Sequence, residues 1–131
     1  MKKTEDINMY KGLVSYFLPD GVLDYFDVVD FAEDPSPDPV KNPYGKTLHL
    51  YLDERDNRPS EMSDFTANGF TEEHCILDFP IRARRTVLHV RRRRWLTPDG
   101  HSRIVPLESI THDKTQYSKE FALFLKVANG Q

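Results

Sequence analysis

The feature that most constrains the fold of this chain is a run of four arginines, Arg91 to Arg94, followed directly by Trp95. The preceding segment, Thr86 to Val90, is rich in strand-forming residues, so the run is expected to continue a β-strand. Because alternate strand residues face opposite sides, the second and fourth arginines should share a face with Leu88 and Val90. The first and third should share the other face with Trp95. The run therefore cannot form one flat patch, and we expect it at a sheet edge or on a projecting β-ribbon.

Charge is divided unevenly along the chain. Residues 1–78 contain 7 Lys and Arg against 17 Asp and Glu, whereas residues 79–131 contain 11 against 4. Three interpretations of the arginines stay open, namely contact with a nucleic acid, pairing with the acidic first half, and a solvated sheet edge. The pattern favours nucleic-acid contact, because consecutive like charges repel one another and local folding does not reward them.

The remaining segments predict a single α+β domain over residues 1–131, since this length supports one hydrophobic core. Apolar residues spaced by three and four predict a helix over 7–18, a short helix after Pro19 and a C-terminal helix over 117–128. Strands are predicted over 26–31, 47–52, 73–79 and 86–94, the first of them buried on much of both faces. A Pro-rich loop is expected over 34–46, a polar loop over 53–70 and a turn over 98–100. Together these elements predict a small antiparallel sheet with a projecting β-ribbon, an N-terminal helical pair and a C-terminal helix.

The single cysteine, Cys75, limits the chemistry of the chain. It excludes an internal disulfide and any multi-cysteine zinc site, and the cytoplasm is the expected compartment. Cys75 itself is expected to be a small buried hydrophobe. No apolar run follows the basic start of the chain, so neither a signal peptide nor a membrane partner is expected.

A set of basic and aromatic side chains is expected to contact nucleic acid. Guanidinium groups bind phosphate and guanine edges through paired hydrogen bonds, and a tryptophan can stack on a base. The predicted nucleic-acid-binding residues are Arg84, Arg85, His89, Arg91, Arg92, Arg93, Arg94 and Trp95.

No catalytic residues are predicted, so the chain is not expected to be an enzyme. The acidic residues of segment 24–38 would be needed for a metal-dependent nuclease, but they lie in a loop or alternate along one strand. The five histidines show no paired helical spacing, and neither a phosphate loop nor a nucleophile motif is present. A nuclease therefore stays the weakest interpretation.

Two segments near the arginines resemble a known family. Residues 78–82, Asp-Phe-Pro-Ile-Arg, and residues 87–95, which end in the arginine run and Trp95, are similar to the N-terminal region of insertion-sequence transposases of the ISL and ISAon type. Residues 18–29 and 50–54 agree with this resemblance, which spans most of residues 10–128.

The resemblance implies a domain that precedes a catalytic transposase region and binds double-stranded DNA at transposon ends. It also implies that a separate catalytic transposase chain is a partner. ISL-type relatives carry zinc-binding cysteine pairs after the two corresponding strands, but residues 53–59 and 96–101 of this chain contain no cysteine. No metal or other cofactor is therefore expected. A module that docks on the catalytic chain without contacting DNA stays the alternative function.

Overall fold

The computed structural model describes residues 3–35, 43–106 and 119–128, and its α+β fold confirms the predicted class. Helices lie at the two ends of the described chain, around two small β-sheets. The helices are α1 (Lys3–Val14), α2 (Val22–Tyr25) and α3 (Lys119–Ala128), and short 3-10 turns span Ser15–Phe17 and Ser60–Met62. The strands are β1 (Phe26–Pro35), β2 (Lys46–Glu54), β3 (Thr66–Phe70), β4 (His74–Asp78), β5 (Arg85–Arg91), β6 (Arg93–Leu96) and β7 (Ser102–Arg103).

The larger sheet has four strands in the order β1-β2-β5-β4. Strands β1 and β2 are antiparallel, and so are β4 and β5, but the central pair β2 and β5 runs parallel. The sequence predicted an antiparallel sheet and did not predict this parallel pair. Because residues in register share a face, the parallel pair brings side chains that are about forty positions apart into contact.

The smaller sheet has three antiparallel strands in the order β3-β6-β7. The predicted single strand through the arginines is therefore two strands that belong to different sheets, and Arg92 lies between them. The turn predicted over 98–100 connects β6 to β7, with Gly100 at φ 90° and its amide donating to the Thr97 carbonyl at 3.0 Å.

The hydrophobic core lies against the inner face of the four-stranded sheet. Strand β5 alternates regularly, with Thr86, Leu88 and Val90 buried. The rings of Phe26 and Phe124 meet edge to face with centroids 5.1 Å apart, so α3 packs against the start of β1. The buried apolar residues are Leu18, Val22, Phe26, Leu52, Met62, Leu88, Val90, Trp95, Val105, Phe124 and Ala128.

Several local predictions were wrong. Strand β1 is mostly exposed, because it is an edge strand of the sheet, although the sequence predicted burial on both faces. The polar loop predicted over 53–70 contains β3, where Gly69 at φ 77° lies within an irregularity of the pairing with β6. The Pro-rich segment 34–46 begins inside β1, and its residues 36–42 lie outside the described residues.

The C-terminal helix and the helical pair agree with the predictions more closely. Helix α3 begins at Lys119, and residues 107–118, which include the predicted helix start, lie outside the described residues. Helix α1 begins earlier than predicted, and its apolar side chains Ile7, Tyr10 and Leu13 are each more than half exposed. No helix within the described ranges is long and apolar enough to cross a membrane.

Candidate functional site: the arginine strands and the polar sheet face

Arg91 is the last residue of β5 and faces outward, away from the core. In the parallel register its partner is Asp53, and the guanidinium donates to both carboxylate oxygens, from Nε at 2.8 Å and from Nη2 at 2.6 Å. This paired hydrogen bond raises the pKa of Arg91 above its ordinary value. The guanidinium also lies 4.3 Å from the ring centroid of Phe70, in a cation–π contact.

Arg92 has the most buried position in the run, with 1% of its surface exposed. The guanidinium donates to both carboxylate oxygens of Glu54, from Nε at 3.1 Å and from Nη2 at 2.9 Å, and to the Val105 carbonyl at 2.8 Å. Glu54 is equally buried and also accepts from the Asn57 side chain and from the Arg93 amide, each at 2.9 Å. The ion pair is therefore fully hydrogen-bonded, as a buried charge pair must be to persist.

The burial of Arg92 confirms the predicted alternation, because Arg92 continues the buried face of Leu88 and Val90. Beyond Arg92 the alternation shifts by one residue. Trp95, rather than Arg94, is buried at 4% exposure. The shift coincides with the change from the four-stranded to the three-stranded sheet.

Arg93 and Arg94 belong to β6 but differ in their surroundings. Arg93 is half-buried, donates from Nε to the Glu54 carbonyl at 2.7 Å and lies 5.0 Å from the Phe70 ring centroid. Arg94 is exposed and donates from Nε to the Ser102 hydroxyl at 3.1 Å. The Asn68 side chain donates to the same hydroxyl at 3.4 Å. Within the part of the chain that the structure describes, Arg94 forms no ion pair.

The remaining predicted nucleic-acid residues lie in different surroundings. Trp95 packs in the core under the guanidinium of Arg58, which is 4.3 Å from its ring centroid. Arg84 pairs with Glu33, and this hydrogen bond lowers the pKa of Glu33. Arg85, at the start of β5, is half-buried and forms no ion pair with another described residue. Of the three interpretations of the arginines, the structure therefore shows pairing with the acidic first half for Arg84, Arg91 and Arg92.

His89 belongs to a second group of side chains, on the outer face of the four-stranded sheet. In register, Cys75 of β4 and Tyr51 of β2 flank His89 of β5 on either side. The Tyr51 and His89 rings stack with centroids 4.4 Å apart. We call the group the histidine cluster, and its members are Asp34, His49, Tyr51, Glu73, Cys75 and His89.

Hydrogen bonds connect the histidine cluster across all four strands. Asp34 Oδ2 lies 2.9 Å from His49 Nε2, and His49 Nδ1 lies 2.7 Å from His89 Nε2. His89 Nδ1 in turn lies 2.7 Å from Glu73 Oε2 and 3.5 Å from Cys75 Sγ. A hollow of about 270 Å³ lies beside the cluster, lined in part by Asp30, Asp53 and Arg91.

Cys75 is exposed, so the prediction of a buried hydrophobe was wrong. The reason is that β4 is an edge strand, whose alternate residues Cys75 and Leu77 face solvent. Partial desolvation of the thiol, together with the Glu73 carboxylate, raises the pKa of Cys75. The thiol is therefore held in its protonated form, which is unfavourable for a nucleophile.

The sequence did not identify the histidine cluster. Its members come from four strands and from the loop before β4, and the contact of His49 with His89 depends on the parallel register of β2 and β5, which no local pattern specifies. The available signal was weaker: His49 and His89 each occupy the polar face of an alternating strand.

Comparison of the chain with protein-family models, with curated proteins and with solved structures found no match.

Proposed function

We propose that this chain is a DNA-binding accessory domain of an insertion-sequence transposase, which lacks the catalytic region and acts in the cytoplasm on transposon-end DNA. The proposal combines the resemblance of residues 78–82 and 87–95 with one structural observation. That observation is the exposed Arg94 on β6, the central strand of the three-stranded sheet, beside the Ser102 hydroxyl and the Asn68 amide.

The chemistry of this face suits the DNA backbone. An exposed guanidinium, a hydroxyl and a carboxamide are the donors that most often contact phosphate oxygens. Only the Nε of Arg94 is engaged within the described chain, at 3.1 Å from Ser102, so its two terminal amino groups are available for a bidentate phosphate contact. Strands are known to present such groups to a DNA groove.

The register of β6 and β7 limits this surface to the face of Arg94. Ser102 is the partner of Leu96 and so shares that face, whereas Arg103 is the partner of Trp95 and lies on the opposite face, exposed and without an ion pair to a described residue. The surface therefore centres on Arg94. Arg91, Arg92 and Arg93 act as the scaffold of this surface, because their contacts with Asp53, Glu54 and Phe70 hold β6 against the larger sheet.

Equilibrium binding to a fluorescent duplex, measured over a range of salt concentrations, tests the proposal. Each protein–phosphate contact contributes a slope of about −0.9 to the logarithm of affinity against the logarithm of salt. Replacing Arg94 by Gln should therefore flatten the slope by about 0.9. Lys126→Gln, which also removes one exposed positive charge but from α3, should leave the slope unchanged. Salt-independent binding by the wild type, or equal slopes for all three proteins, would contradict the proposal.

A second function is favoured by a separate observation. Helices α1 and α2 and strand β1 form a largely apolar groove of about 230 Å³, with exposed apolar side chains beside it. Its lining consists of Ile7, Tyr10, Val14, Leu23 and Val28 together with the ion pair of Lys11 and Asp27. Exposed apolar patches often mark protein interfaces. In this second candidate the chain docks on a separate catalytic transposase chain. A pull-down with the neighbouring reading frame's product, after nuclease treatment, distinguishes it: a DNA-free complex lost on Tyr10→Asp supports docking, and no complex contradicts it.

A further inference from the structure

We propose that Glu73, Cys75 and His89 form a binding site for one zinc ion on the outer face of the four-stranded sheet. The site is independent of the proposed DNA surface. It also departs from the expectation that the chain takes no metal, which rested on the missing cysteines of segments 53–59 and 96–101. Its three ligands come from the edge strand β4, the loop before it and the neighbouring strand β5.

Three potential ligand atoms converge on one point. Glu73 Oε2, Cys75 Sγ and His89 Nδ1 all lie within 4.8 Å of one another. The sulfur is 3.5 Å from the ring nitrogen and 3.7 Å from the carboxylate oxygen, and the nitrogen and oxygen are 2.7 Å apart. Carboxylate, thiolate and imidazole are each established zinc ligands, and zinc binding would release the proton of the Cys75 thiol to solvent.

These separations fit a tetrahedral ion. With zinc–sulfur bonds of about 2.3 Å and zinc–nitrogen or zinc–oxygen bonds of about 2.0–2.1 Å, the edges that include sulfur should be about 3.5 Å, and the nitrogen–oxygen edge about 3.3 Å. The two edges to Cys75 already have this length. To lengthen the nitrogen–oxygen edge to about 3.3 Å, the Glu73 carboxylate must move away from His89 Nδ1 by about 0.6 Å. Glu73 is exposed and lies outside β4, so a small side-chain rotation achieves this.

Hydrogen bonding also orients a ring nitrogen of His89 toward the site. The Asp34 carboxylate can only accept, so His49 carries hydrogen on Nε2, and its Nδ1 accepts in the tautomer of His89 that carries hydrogen on Nε2. In this tautomer the lone pair of His89 Nδ1 faces Glu73 and Cys75, as a metal ligand requires.

The surroundings resemble those of metal-binding histidines in general. A ligating histidine commonly donates its second ring N–H to another group, which fixes the ring and its tautomer. Here His49 receives that hydrogen bond from His89 and passes a second one to Asp34, and the Tyr51 ring stacks on His89 at 4.4 Å. His89 is therefore held in place before the ion binds, with 12% of its side chain exposed.

The ligand set favours zinc over the harder divalent ions. Thiolate and imidazole disfavour magnesium and calcium, which take oxygen ligands. Three protein ligands leave a fourth tetrahedral position, which faces solvent and takes a water molecule.

Titration of the untagged, full-length chain with cobalt(II) and then zinc tests the site. Cobalt bound to Cys75 should give a thiolate-to-metal charge-transfer band that saturates at one ion per chain and is abolished by one equivalent of zinc. Competition with a coloured chelator then gives the zinc affinity without any DNA in the sample. The proposed DNA-binding function can therefore fail while this site succeeds, or the reverse.

Four variants make the test specific. Cys75→Ser and His89→Gln should abolish one-to-one binding, and His49→Gln should weaken it about 10- to 100-fold by removing the group that orients His89. His101→Gln changes an exposed histidine in the β6–β7 turn and should bind as the wild type does. Cys75 is exposed, so its variant should keep the wild-type circular dichroism spectrum even if His89→Gln does not fold. A wild type that binds no zinc, or a folded Cys75→Ser protein with unchanged affinity, would overturn the proposal.

Discussion

At the scale of single residues, four identical neighbours in sequence have four different surroundings. Arg91 forms a two-point ion pair at the surface, Arg92 is buried with Glu54, Arg93 spans a backbone carbonyl and an aromatic ring, and Arg94 faces solvent. Alternation separates Arg91 from Arg92 and Arg93 from Arg94, and the change of sheet at Arg92 separates the first pair from the second. A run of like charges is therefore no single functional unit in this fold.

Arg92 gives the first prediction at this scale. Arg92→Met removes the partner of the buried Glu54 carboxylate, and an uncompensated buried charge costs about 3–5 kcal/mol. We expect urea denaturation to show a loss of unfolding free energy in this range. Arg94→Met is the matched control, and because Arg94 is exposed it should change stability by no more than about 0.5 kcal/mol. Equal stability of the two variants would show that the Arg92–Glu54 pair does not hold the sheets together.

At the scale of elements, the turn between β4 and β5 has an unusual backbone. Arg82 and Ala83 adopt φ values of 51° and 60°, and the flanking residues Ile81 and Arg84 exchange two backbone hydrogen bonds of 3.1 Å. This is the geometry of a two-residue hairpin turn, which Asn-Gly normally occupies because a side chain with Cβ is strained at positive φ.

Relieving that strain gives the second prediction. Replacing Arg82-Ala83 by Asn-Gly should stabilise the protein by about 1 kcal/mol, measured by thermal and urea unfolding. The opposite change in the β6–β7 turn is the control. Gly100 has φ 90° and open space around its Cβ position, so Gly100→Ala should destabilise through the backbone alone, by about 1 kcal/mol. An Asn-Gly variant that is no more stable than the wild type would contradict this prediction. It would show that other contacts of Arg82 and Ala83 offset the strain of their backbone.

The elements also show what could be read from the sequence. Helix α3, strand β2 and the turn at Gly100 follow from apolar spacing, alternation and turn residues, and the structure has all three. Strand β3 was missed because Thr66–Phe70 is short and polar and contains Gly69 at a bulge. The parallel pairing of β2 with β5 was missed because register between distant strands depends on the whole fold. The histidine cluster depends on that register and was missed with it.

At the scale of the whole molecule, the opposite charges of the two halves neutralise each other in part within the fold. Acidic residues of β1 and β2 pair with arginines beside or within β5, as Glu33 does with Arg84 and Asp53 with Arg91. Part of the positive charge of the second half therefore forms ion pairs with the first half. The exposed cations that remain near the three-stranded sheet are the part of this charge available to a polyanion.

In the proposed function, the exposed end of the arginine run contacts DNA and its buried part does not. Nitrogen-15 NMR of the full chain, titrated with a short duplex, tests it most directly, because the Nε–H signal of each arginine reports its own surroundings. We expect the Arg94 signal and the amides of β6 and β7 to shift with added duplex, while the Arg92 signal stays in place. Shifts centred on the α1 groove or on the outer face of the four-stranded sheet, with Arg94 unmoved, would contradict it.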